Sequence, residues 1–206
     1  MSNNVRVVTE APRPSGRVRR AWTSAHDAVE GTPRWARIAA LTIPFLVLPS
    51  SIWRIVTFTF HAPLVDMPPE GADVNGDLPQ WVPLELYVVF LSLLSEALAF
   101  LAIGLIARWG EVFPRWLPWL RGRQVPVSLA VIPAAVGSLI LTLMWTWATI
   151  TSLFLKTMQL QPVAPESPLA EYDWQFAVAG IAYLPLVAWG PLLAAVTVAY
   201  YRRRRA

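Results

Sequence analysis

The sequence predicts an all-α fold, a four-helix transmembrane bundle with both termini on the cytoplasmic side. Three observations predict it. Hydrophobic residues make up 55% of the 206 residues and charged ones only 15%, fewer charges than a soluble domain of this size carries. The apolar residues gather in four runs, each long enough to cross a hydrocarbon core of about 30 Å. Basic residues crowd the flanks of those runs on alternate sides, which is how membrane topology is written.

The first expected span is about residues 37–60, the second about 83–107, the third about 125–150 and the fourth about 175–201. Thr32-Pro33 reads as an N-cap and first-turn proline ahead of span one. Pro44 and Pro49 in span one, and Pro185 and Gly190-Pro191 in span four, are candidate kinks. Seven arginines from Arg6 to Arg37 precede or open span one. Arg108, Arg115, Arg121 and Arg123 lie between spans two and three, and Arg202, Arg203, Arg204 and Arg205 follow span four. The loop at 61–82 has no Lys or Arg, and that at 151–174 has only Lys156. An even number of spans agrees with the resulting orientation, a multi-pass protein of the cytoplasmic membrane.

Three segments follow from this. Residues 1–36 form a basic cytoplasmic segment, expected to be partly disordered. Within it AWTSAHDAVE reads either as a short helix lying on the membrane, with Trp22, Ala25 and Val29 on one face, or as a solvated connector. Residues 37–201 form the membrane domain, and 202–206 a basic tail. The outer loop carries Asp66, Glu70, Asp73 and Asp77, a spacing that is not a calcium-binding loop. The arginines cap apolar runs rather than forming a face, so no nucleic-acid partner is expected.

The loop RWGEVFPRWLPWLRGRQVP interleaves Arg108, Arg115, Arg121 and Arg123 with Trp109, Trp116 and Trp119. Pro114 and Pro118 bar a regular helix there. Arginine beside tryptophan anchors to headgroups, and anionic lipid on the cytoplasmic side favours the arginines. A partner-binding epitope has the same composition. With Arg202 to Arg205, these residues form the expected lipid or partner interface. The run from Trp109 to Pro118, followed by Gly122, Arg123, Val125 and Pro126, resembles a loop of small multi-span membrane proteins of actinobacteria that are described only as integral membrane proteins. The resemblance implies a cytoplasmic-membrane location and carries no activity or catalytic residue.

The spans themselves hold polar stripes at helical spacing. Span two places Glu85, Ser92 and Glu96 on one face; span one does so with Ser50, Arg54, Thr57 and His61; span three with Ser138, Thr142, Trp145 and Thr149. Stripes of this kind are expected to face inward. Glu96 lies mid-span in FLSLLSEALAFL, where a charge is costly. Counted from the outer ends of the spans, Arg54 sits about two helical turns shallower, roughly 10 Å. A direct pair then needs staggered or tilted helices; otherwise Arg54 meets Glu85 or snorkels. The expected intramembrane polar site is therefore Glu96, Ser92, Arg54, Ser50, Glu85, His61, Thr142 and Ser138.

With no cysteine and two histidines in different segments, thiol chemistry and a His-based metal site are excluded, and no metal or cofactor is expected. Nucleotide-binding glycine loops, G-x-S-x-G and H-E-x-x-H are all missing, so no catalytic residue is expected. Two functional expectations stand. One is an accessory or scaffolding membrane subunit, with a membrane-protein partner or a second copy of itself. The other is a small transporter or channel subunit that uses Glu96 as a proton- or cation-binding carboxylate.

Overall fold

In the computed structural model, residues 29–64, 81–112, 122–152, 157–158, 161–162 and 174–205 are described. Among the described residues, four helical segments are long and apolar enough to cross a membrane: Arg34–Thr59, Leu84–Gly104, Val127–Ile150 and Trp174–Arg205. The fold class is therefore the all-α four-helix architecture read from the hydropathy pattern. A two-residue antiparallel pairing, Thr157–Met158 with Gln161–Pro162, is the only strand pair among the described residues.

Span one is α1, Arg34–Arg54, closing in a π turn at Ile55–Thr59. It begins directly after Pro33, whose ring fixes an extended-side φ of −58° at the cap. The Thr32 hydroxyl does not cap the helix; it donates to the Val29 carbonyl. Pro44 and Pro49 lie inside α1 without ending it. Span two is α2, Leu84–Gly104, and span three is α3, Val127–Ile150. Each follows a proline as well, Pro83 and Pro126.

Span four is divided. α4, Trp174–Tyr183, passes into a 3₁₀ stretch at Leu184–Ala188, and α5, Trp189–Arg205, completes it. Pro185 explains the break, since it lacks the N–H that would bond one turn back and its ring crowds that carbonyl.

α2 leans on α1, α3 leans on α5, and α1 packs against α5 between them. Ile43 and Val47 of α1, Ala99 and Ala102 of α2, and Leu186 and Trp189 of span four fill the centre. Nearer the termini, Ala39 and Ala40 meet Leu105, Ile106, Val196 and Tyr200. Alanines on α1 and α2 let these two backbones approach closely, the usual device where lipid gives helices no hydrophobic reason to associate. α3 and α5 approach closely as well. A Cβ on Gly190 would fall 2.8 Å from the Ser138 carbonyl oxygen and against the Thr142 backbone.

The start of span one and the end of span four lie together. Arg203 donates to the Thr32 hydroxyl, to the Leu105 carbonyl at 3.2 Å and to Glu111. Arg204 donates to the Val125 carbonyl at 2.9 Å and also faces Glu111. The side chains of Arg203 and Glu111 are only 11% and 15% exposed, so this ion pair is largely withdrawn from solvent.

Candidate functional site

The mid-membrane polar groups are positioned by the antiparallel pairing of α1 with α2. At the end away from the termini, His61 Nε2 lies 3.9 Å from Glu85 Oε1. His61 takes a positive φ of 52° as the chain leaves the π turn. Deeper in, Ser51 and the Arg54 guanidinium lie beside the Glu96 carboxyl. Arg54 Nη2 in turn donates to Ser51 Oγ at 3.4 Å. Guanidinium, hydroxyl and carboxyl thus form a short relay across the helix contact.

The relay revises the depth expected for Arg54. From the His61–Glu85 contact, Arg54 is seven residues down span one and Glu96 eleven down span two. The offset is four residues, about one helical turn or ~6 Å, rather than two turns. Span one sits deeper against span two than its apolar boundaries at 60 and 83 imply, since residue 61 stands level with residue 85. Arg54 therefore turns toward Glu96, and Glu85 is left to His61.

Aromatic rings enclose the relay on the span-four side. Trp53 packs edge-on to Tyr183 at 5.4 Å between ring centroids, and Trp145 lies 5.9 Å from the same tyrosine. Arg54 lies near Tyr183 too. Several polar atoms here are buried without a hydrogen-bond partner among the described residues: Glu96 Oε1, Ser92 Oγ, Arg54 Nε and Thr57 Oγ1. This contrasts with the other span hydroxyls. Ser50, Ser95, Ser138, Thr142 and Thr197 each donate to a carbonyl three or four residues back in their own helix, which silences them as donors.

Not all of the expected polar site comes together. Ser50 turns to the Val47 carbonyl, and its neighbour Ser51 is the residue that meets Glu96. Ser138 and Thr142 lie on the α3–α5 contact against Gly190. Among the described residues no three His, Asp or Glu side chains gather to hold a metal ion.

The expected lipid or partner interface is also divided. Arg203 and Arg204 are spent on Glu111, whereas Arg108, Arg123, Arg202 and Arg205 are exposed. Trp109 folds back on span two, stacked 6.1 Å from Phe100, and a Cβ on Gly104 would lie 2.6 Å from its ring. Arg115, Trp116, Trp119 and Arg121 lie outside the described residues, as do Trp22 and Ala25 of the expected surface helix, the acidic loop positions and Lys156.

Comparison with protein families, curated proteins and solved structures returned no match. The resemblance carried by Trp109 to Pro118 receives no support from them. Any functional reading therefore rests on the geometry.

That geometry can do two things chemically. A guanidinium placed beside a carboxyl across a helix contact favours one register of the two helices. The unbonded Glu96 Oε1 and Ser92 Oγ are polar atoms beyond what the tie consumes, and they are where a proton or water would be received.

Proposed function

We propose that this chain is an accessory or scaffolding subunit of the cell membrane, with both termini cytoplasmic. The clustering of arginines at the terminal ends supports the orientation. One observation carries the functional reading: the intramembrane charges are used between the chain's own helices, in the Arg54–Ser51–Glu96 relay. Breaking such an arrangement leaves a charge without a partner in hydrocarbon, so it specifies register strongly. The outer surfaces of α2 and α3, with Phe90, Leu93, Leu139, Leu143 and Trp147 exposed, are then available to lipid and to the helices of a partner.

The second reading is proton or cation exchange at Glu96. It is favoured by the unbonded Glu96 Oε1, Ser92 Oγ and Arg54 Nε beside the relay. One experiment separates the two. The full chain is reconstituted in liposomes enclosing a pH-reporting dye, and a potassium gradient is applied. The scaffolding reading expects proton leak equal to that of empty liposomes. Flux lost in Glu96→Gln overturns it in favour of exchange. A photoreactive residue at Leu143 in native membranes is further expected to give one discrete protein adduct.

A further inference from the structure

We propose that the outer face of the α3–α5 contact is a binding site for one anionic phospholipid, its acyl chain in the groove and its phosphate against Arg205. The inference rests on the bilayer location of the chain and not on either reading of Glu96.

The groove encloses about 280 Å³ and is lined by Val131, Ala135, Ser138, Ala194, Thr197 and Tyr201, among others. It exists because Gly190 brings α5 against α3 deeper in the membrane, while alanines at 135 and 194 leave the two backbones uncovered above that contact. Its volume is nearly twice the ~150 Å³ apolar cavity that accepts benzene. The floor holds two hydroxyls, neither free to donate to a ligand. Ser138 donates to the Ala135 carbonyl at 2.8 Å and Thr197 to the Leu193 carbonyl at 2.7 Å. The lining therefore presents hydrocarbon to whatever lies in it and discriminates against polar occupants.

Charge at the mouth selects the lipid. Tyr201 ends the groove toward the termini, and the Arg205 guanidinium is held 4.5 Å from the centroid of its ring. Arg203 and Arg204 are turned away to Glu111, so of the four arginines that end span four, Arg205 and the exposed Arg202 are left to supply charge at the groove mouth. A chain lying along Ala194 to Tyr201 descends seven residues, ~10 Å at 1.5 Å per residue. That places its headgroup at the level of Arg205.

The test uses the full-length protein in nanodiscs of three parts phosphatidylcholine to one part phosphatidylglycerol. The protein is released into mild detergent, and retained lipid is counted by native mass spectrometry. The expected result is one retained phosphatidylglycerol. Arg205→Gln lowers its retention about fivefold, matching ~1 kcal/mol for one arginine at a lipid surface. Ala135→Leu fills the groove from its exposed rim and removes the bound lipid while leaving the helical circular dichroism unchanged. Arg108→Gln, an exposed arginine elsewhere, has no effect. Equal retention of the two lipids, indifference to both groove variants, or a second copy of the chain held in place of lipid overturns the proposal. None of these readouts depends on ion flux or on a protein partner, so the site and the scaffolding reading fail separately.

Discussion

Arg54, Ser51 and Glu96 are three residues whose chemistry depends on one another, and that dependence is measurable. A double-mutant cycle of Arg54→Gln and Glu96→Gln, followed by thermal unfolding in detergent, is expected to give a coupling of about 1–3 kcal/mol. Additivity of the two losses would separate the side chains energetically. Glu111→Ala is expected to cost roughly 2–4 kcal/mol, because it strands Arg203 in a site where that side chain is only 11% exposed. An unchanged midpoint would make the ion pair ornamental. Glu96 was legible in the sequence since an acid amid Leu, Ala and Phe has few explanations. Ser51 was not, because serine is common in membrane helices and the stripe template starting at Ser50 passes beside it. Glu111 was hidden for another reason: its partners, Arg203 and Arg204, lie 92 and 93 positions away, and nothing local marks it.

Helices and turns fail in a different way from side chains, through backbone approach. A Cβ on Gly110 would collide with the Gly104 carbonyl, and Trp109 covers Gly104. The Gly104–Gly110 turn therefore admits no side chain at Gly110, and one at Gly104 only if the Trp109 ring is displaced. Gly110→Ala is expected to cost about 3 kcal/mol or more and to lower the yield of folded protein in the membrane. Gly190→Val is expected to do the same by wedging α5 off Ser138 and Thr142, seen as a lower unfolding midpoint; an unshifted midpoint would place α3 elsewhere. The spans were legible from hydropathy alone, since a bilayer demands about 20 apolar residues whatever the packing. The break in span four across Leu184–Ala188 was legible as well, since Pro185 marked a kink there. Which of two possible neighbours a polar stripe would face was not legible. The Ser138–Thr142 face serves the last span, a pairing decided by Gly190 on another helix.

Over the whole molecule, the arrangement of arginines makes a prediction that needs no mechanism. The chain has no cysteine, so single cysteines report topology cleanly. Ser2→Cys is expected to resist a membrane-impermeant maleimide in intact cells and to react after permeabilisation. Gly76→Cys is expected to react in both; the reverse pattern would invert the bundle. The terminal clamp has a further consequence during synthesis. Thr32, Leu105, Glu111 and Val125 wait for Arg203 and Arg204, which leave the ribosome only after the four helical segments that precede them. A nascent chain halted before Arg203 can carry all four helices in the bilayer with Glu111 still unneutralised. The arginine pair thus closes the bundle by tying the end of span four to the segment before span one, and a variant lacking Arg203 and Arg204 is expected to be degraded faster by membrane proteases.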